Sequence, residues 1–391
     1  MAAAGRGHIV GVTSGSGWRA ADAGAYGCAK RAVAALTWQL GQHAPNGVVI
    51  NAISPIAATR MVAAALARTQ QEGRVSTGGL SLGAMPQADD LGPLGAHLVS
   101  DEFGSCKGRV LFLGGSEVAV IDEPRLIEVV RDDGAVPARH LIEAATTIAL
   151  VPAEANQVSG GGSNARFGSA FSQSPENTIE LPQPTSCAVV ADRPDVAAAI
   201  SAALQSRGVT PVPIEYPAAL ADIAALDAVV IALAGRSAAA DAPSAWKRTL
   251  DEHVGIAADI YADARWSRAV ADVSITAGRP IRLVTITDAT TAGGRSRAQA
   301  SAQLARSGQQ ATADLVTPFA VSAESDEVPA ELAAHLVCSP EAPGLAGAEL
   351  VSGAGWFGLR SHPRPIGSIS FGGPDVPAWF DEALREVVQT R

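Results

Sequence analysis

His8-Ile9-Val10-Gly11-Val12-Thr13-Ser14, then Tyr26-Gly27-Cys28-Ala29-Lys30, then Asn51-Ala52-Ile53-Ser54-Pro55: these three runs decide the fold. The first reads as an apolar strand, His8 to Thr13, delivering a hydroxyl into a loop. The second opens a helix expected over about Ala25 to His43, which Pro45-Asn46-Gly47 stops. The third begins in a strand expected over Val48 to Ile53. Strand, helix and strand in that order make a βαβ unit, the building block of a parallel sheet.

The spacing also carries chemistry. Tyr26 and Lys30 stand four apart, so a helix puts both side chains on one face. A phenol of pKa about 10 is a poor base at neutral pH, and a nearby ammonium favours its phenolate. Such a tyrosine can pass a proton to or from a substrate oxygen. Ser14, twelve residues earlier, can hydrogen-bond the same oxygen and polarise it. A Tyr-x-x-x-Lys pair alone is usually a solvated surface contact. Here an apolar strand, a serine and Asn51 to Pro55 accompany it, which favours the catalytic reading.

Working outward, the region from Arg60 to Asp90 reads as looser chain, followed by a short helix ending near Ser100 and a strand, Arg109 to Leu113, closed by Gly114-Gly115. The first half thus offers three core strands, the first with an open edge. From Val158 to Ser186 the chain is rich in Ser, Gly, Asn, Gln and Pro without apolar periodicity and reads as a linker, exposed to solvent and to proteases. This divides the chain into residues 1–157, a linker at 158–186, and residues 187–391. The second part alternates again: strands Cys187 to Ala191, Val209 to Ile214, Ala228 to Leu233 and Ile281 to Ile286, a helix from about Val196 to Arg207, and one long helical stretch from Trp246 to Val270.

The two parts echo each other. Ala96-His97-Leu98-Val99 recurs as Ala334-His335-Leu336-Val337, and Pro124-Arg125-Leu126-Ile127 as Pro363-Arg364-Pro365-Ile366, in the same order and at similar spacing. A duplication is the economical explanation. The expected class is α/β: a Rossmann-like doubly wound parallel sheet, with a partial first copy followed by a degenerate second one.

Composition agrees with this class. The 391 residues are 47% hydrophobic, 17% charged and only 4% aromatic, which suits small-residue helices packed on a sheet and is enough chain for two cores. A formal net charge of −10 gives no electrostatic reason to bind nucleic acid or an anionic membrane surface. Cys28, Cys106, Cys187 and Cys338 form no CxxC pair and lack histidines at zinc spacing, so no metal is expected and a reduced, cytoplasmic setting is the simple reading. The first seven residues hold no signal-peptide core, and no stretch approaches a membrane span. Small molecules and proteins remain as partners.

The Ser, Tyr-x-x-x-Lys and Asn-Ala-x-x-Pro elements resemble the short-chain dehydrogenase/reductase family, whose closing strand is similar to Gly108-Arg109-Val110-Leu111-Phe112-Leu113-Gly114-Gly115. The resemblance covers about residues 7 to 116. It implies an oxidoreductase interconverting a secondary alcohol and a ketone with NAD or NADP. Tyr26 would be the acid/base, Lys30 its electrostatic partner and a ligand of the nicotinamide ribose, and Ser14 the holder of the substrate oxygen. Pro55, Ile56 and Thr59 would flank the nicotinamide ring, Ile56 replacing the glycine common in the family. The run Asn51 to Met61 resembles hydroxyacyl-CoA dehydrogenase-type members, which favours a 3-hydroxyacyl- or 3-oxoacyl-CoA substrate.

The resemblance also exposes a gap. The family's glycine-rich phosphate turn, its NAD/NADP selector and its catalytic asparagine precede the strand that here begins at residue 8. In the second part Cys187 to Ala191 runs into Asp192-Arg193-Pro194-Asp195, with no glycine until Gly208. Ile281 to Ile286 is followed by Thr287-Asp288-Ala289 and a segment with neither tyrosine nor lysine. His253 stands near the expected place of the asparagine but reads better as a surface histidine. Weak nucleotide binding by the chain alone is expected, with activity either within a homo- or hetero-oligomer whose partner completes the site or as the C-terminal portion of a longer enzyme that supplies the missing segment. The rival is a non-catalytic structural subunit paired with an active paralogue. The helix Ala25 to His43, with Ala32, Val33, Leu36 and Leu40, is available to pack on a partner helix.

Overall fold

A computed structural model of the chain describes residues 1–18, 23–71, 85–134, 136–157, 181–235 and 242–389. Most of the expected linker, and the protease sensitivity read for it, lie outside them. The molecule is α/β, with helices on two mixed sheets, as the alternation of periodicities implied.

The first sheet has five strands in the order β1 (Gly7–Val12), β2 (Val48–Pro55), β3 (Arg109–Gly114), β4 (Glu117–Ile121) and, from the far end of the chain, β13 (Pro365–Ser370). β1, β2 and β3 are parallel, with Val12 opposite Ile53 and Pro55 opposite Leu113. Helix α1 (Gly24–His43) is the crossover from β1 to β2. Gly41 is obligatory in it, because a Cβ there would overlap the backbone of Gly108 at the turn into β3. Two expectations need correction. Residues Arg60–Gln71 form a helix, α2, rather than looser chain, and the sheet has five strands rather than three because β4 and β13 extend it. Helix α3 (Gly92–Leu98) follows. The edge at β1 is open among the described residues, and Ile9 and Val12 are exposed on it.

β5 (Leu126–Arg131) starts the other sheet, of eight strands, and is followed by the helices α4 (Arg139–Ala145) and α5 (Val151–Ala155). The second part then supplies β6 (Ser186–Ala191), α6 (Pro194–Gln205), β7 (Thr210–Pro213) and β8 (Ala228–Leu233). Helices α7 (Ala245–Glu252) and α8 (Ile256–Ala277) replace the single helix expected from Trp246 to Val270. Gly255 breaks it, with φ of 82°. Next come β9 (Ile281–Asp288), α9 (Ala292–Ala311), β10 (Val316–Ala323), α10 (Ala330–Cys338), β11 (Glu349–Gly353) and β12 (Trp356–Arg360). The order is β5-β12-β11-β10-β9-β8-β6-β7, with all neighbours from β11 to β7 parallel. Helix α11 (Phe380–Gln389) closes the chain and packs Phe380 and Leu384 under the first sheet.

The two parts trade their last strands. Each has a hairpin, β3–β4 or β11–β12, followed by one more strand that leaves its own sheet. β5 pairs antiparallel with β12, and β13 pairs antiparallel with β4. The repeated Pro-Arg segments lie at the crossing, where Ser361 N–H donates to the Arg125 carbonyl at 2.7 Å and Asp122 N–H to the Arg364 carbonyl at 2.9 Å. These bonds are mates under the duplication.

The helices complete the clasp. α1 packs lengthwise on α9, so the partner helix foreseen for Ala25 to His43 comes from this same chain. Arg31, 1% exposed, binds Glu349 at 2.7 Å and Gln299 at 3.1 Å. Trp246 of α7 packs, as Leu36 does, on the cluster formed by Leu40, Ala44, Val48 and Ile50. Gln39 of α1 donates to Glu123, and Arg306 of α9 lies against His362.

Candidate active site

Parallel strands present their C-terminal ends on one side of a sheet, and the loops there gather the residues of interest. Ser14 follows β1, and Pro55 ends β2 directly beside it. Ser14 caps a short 3-10 turn, its Oγ accepting from the Ser16 amide at 3.3 Å. Thr13 is buried, and its hydroxyl donates to the Lys30 carbonyl at 2.5 Å, which ties the start of α1 to the end of β1.

Lys30 turns back toward the strand. Its Nζ donates to the Val12 carbonyl at 2.9 Å and lies 5.5 Å from the centre of the Tyr26 ring. That carbonyl holds the ammonium on the strand end, and the stacked ring shares its charge. Tyr26 is 50% exposed, so the residue is open to a small molecule. Ile56 N–H donates to the Leu113 carbonyl at 2.8 Å, which continues the β2–β3 pairing past Pro55. Thr59 Oγ1 caps α2 by accepting from the Val62 amide at 3.2 Å. Asn51 is fully buried and structural, since its side-chain carbonyl accepts from Arg109 N–H at 2.9 Å and its amide donates to the Cys106 carbonyl at 3.1 Å.

The corresponding place in the second part is filled. Helix α9, which follows β9 as α1 follows β1, opens with Gly293 and Gly294 and carries Arg297 about one turn on. Arg297 is buried and binds both oxygens of Asp263 in α8, at 2.6 and 2.8 Å, and donates to the Ala234 carbonyl at 3.2 Å. A Cβ on Gly293 would overlap the Glu252 carbonyl, and one on Gly294 the Asp288 carbonyl. No tyrosine can stand there. His253 is half-buried rather than on the surface: its two ring nitrogens lie 2.6 Å from the Thr249 carbonyl and 2.9 Å from Ser296 Oγ, joining α7 to α9. Burial holds its pKa below the ordinary value, against the pull of the Thr249 carbonyl.

A nicotinamide dinucleotide needs a cradle for its pyrophosphate at the switch point of a doubly wound sheet. In the second sheet that point lies beyond β6 and β8, beside a small cavity of about 60 Å³. Asp192 accepts there from the Ala234 amide through both oxygens, at 3.0 Å each. Arg193 is held by Asp195, and α6 opens on Pro194, which has no N–H. Asp288 and Asp326 line the same cavity. An acidic rim without a glycine turn does not fit a pyrophosphate. In the first sheet the described residues include candidates for the ribose and nicotinamide side only. No group of His, Cys, Asp and Glu among the described residues could hold a metal ion, and all four cysteines are free. No helix among them is long and apolar enough to cross a membrane.

Residues that the sequence alone did not single out are Arg297 and Asp263, since nothing local marks which of the arginines of α9 is buried, and Lys107. No curated relative matches the chain. Residues 1–115 match a short-chain dehydrogenase family model described as enoyl-(acyl carrier protein) reductase. Among solved structures the chain resembles the N-domain, determined with NADP, of a bacterial malonyl-CoA reductase. The TM-score is 0.55 and the identity 14%, over 85% of this chain and 68% of that one. The chain is therefore like the short-chain dehydrogenases/reductases, with a Rossmann-like fold.

Proposed function

We propose that this chain is an NAD(P)-dependent oxidoreductase of the short-chain type that interconverts a secondary alcohol and a ketone on a 3-hydroxyacyl- or 3-oxoacyl-CoA. The observation that carries the reading is the placement of the Lys30 ammonium between the Val12 carbonyl and the Tyr26 ring, beside the Ser14 loop. The Tyr26 hydroxyl donates a proton to the substrate oxygen during reduction and takes it back during oxidation. Ser14 donates a hydrogen bond to that oxygen, and Lys30 holds the phenol in place. Pro55, Ile56 and Thr59 form the wall beside the reacting carbon. The malonyl-CoA reductase likeness and the acyl-carrier family description are consistent with a thioester substrate.

Since the described residues do not fit a pyrophosphate, the dinucleotide is held in part by a partner or a further segment lying along β1, and the working form is an oligomer. The test is NAD(P)H-dependent reduction of acetoacetyl-CoA by the chain together with a complete nucleotide-binding half. Activity that falls by about 10²–10⁴ in Tyr26→Phe supports the proposal, whereas equal activity in that variant refutes it. The structural-subunit reading is favoured by the filled site of the second part. It predicts unchanged turnover of an active partner when Tyr26 or Lys30 is replaced.

A further inference from the structure

We infer that the first sheet carries a second small-molecule site, for an organic anion, at the end opposite the Ser14–Tyr26–Lys30 cluster. A groove of about 470 Å³ lies there between the last two turns of α1, the segment entering β3, and α11. That volume falls within the range of ligand pockets, about 300–1,000 Å³. Tyr26 and Gln42 are sixteen residues apart on α1, or about 24 Å along the axis at the usual rise, so one small ligand cannot span both places.

The lining decides the chemistry. Arg109 opens β3, and its buried Nε has no hydrogen-bond partner; its guanidinium makes no ion pair among the described residues. A buried donor left unmade is unfavourable, and an arginine fork is shaped to meet a carboxylate or phosphate in two bonds. Lys107 stands at the mouth, and among the described residues it donates only to the Ala44 carbonyl, at 3.5 Å.

The acids of the groove are already engaged. Asp122 binds Arg125 at 2.8 Å. Glu123 accepts from Gln39 and Gln42, and burial pushes its carboxyl above the ordinary range, against the opposing pull of Arg360. Among the described residues Arg109 and Lys107 form no ion pair with an acid, so they present positive charge to the groove in a chain of net charge −10. Trp38 and Val388 add an apolar wall for the body of the ligand. The occupant is a small organic acid, with its oxyanion on Arg109 and Lys107. The inference is independent of the redox reading, because no residue is shared.

The test is titration calorimetry of the full chain with phenyl phosphate, with benzoate and with inorganic phosphate. Saturable binding of phenyl phosphate or benzoate is expected, weakened tenfold or more in both Arg109→Gln and Lys107→Gln. Tighter binding of phenyl phosphate identifies a phosphate ester as the head group, and tighter binding of benzoate a carboxylate. Lys107 is exposed, so its replacement keeps the test valid should Arg109→Gln fail to fold. Absence of saturable binding by any probe, or binding unaltered in Lys107→Gln, overturns the inference.

Discussion

The first turns of α1 and α9 occupy equivalent places in the two copies and have opposite characters. In α1 a tyrosine stands half in solvent over a lysine that leans on one strand carbonyl. In α9 two glycines press against the carbonyls of Glu252 and Asp288, and a buried arginine is fixed in two bonds to Asp263. The same helix-on-strand geometry can thus keep a reactive opening or close it with an ion pair. What differs is whether the neighbouring helix is present: α8 supplies Asp263 to α9, whereas β1 has an open flank among the described residues.

The largest effect is expected from breaking the filled copy. Arg297→Leu leaves Asp263 as an uncompensated buried charge, and a loss of about 3–5 kcal/mol is expected in urea unfolding. A loss below about 1 kcal/mol would show that the pair does not close the site.

The histidines of the repeated Ala-His-Leu-Val sharpen the same contrast. His97 faces Asp381 at 2.7 Å. His335 is 4% exposed, its Nε2 lacks a partner, and burial, with Arg207 adding to it, pushes its pKa from 6.5 down to about 4. The unfolded chain takes up that proton first, so the stability linked to His335 is present above pH 6.5 and lost as pH falls toward 4. The loss is about 3 kcal/mol. A His335→Leu variant should have a correspondingly flatter urea midpoint between pH 7 and 4, and an unchanged slope would contradict the assignment.

Gly293→Ala comes next, at about 1–3 kcal/mol from overpacking against Glu252, read as a lowered melting temperature. The smallest effect belongs to the open copy. Tyr26→Phe should shift stability by no more than about 0.5 kcal/mol, as exposed positions do. A larger loss would mean that the phenol holds the fold rather than serving chemistry.

Much of this arrangement was legible in the sequence, and the limits of legibility have physical causes. Ala228 to Leu233 read correctly to the residue because a fully apolar run between turns admits one interpretation. Ser14, Tyr26 and Lys30 were visible because helical spacing and strand ends are local properties. The destination of β5 was not. Leu126 to Arg131 was not singled out as a strand, and its pairing with β12 depends on a crossing made with residues more than 200 positions away. Gly255 hid its helix break, since one glycine inside a long amphipathic stretch is ordinarily tolerated. Arg31 gave no hint that it was buried, because its partner Glu349 lies at the other end of the chain.

The traded strands make the covalent link between the copies dispensable for holding them together. A chain severed between residues 157 and 181 would still have β5 of the first piece hydrogen-bonded inside the second piece's sheet, and β13 of the second inside the first's. Neither piece carries a whole sheet. The halves are parts of one mutual clasp, and a reporter split at this point would reassemble as a complementing pair rather than as two independently folded modules.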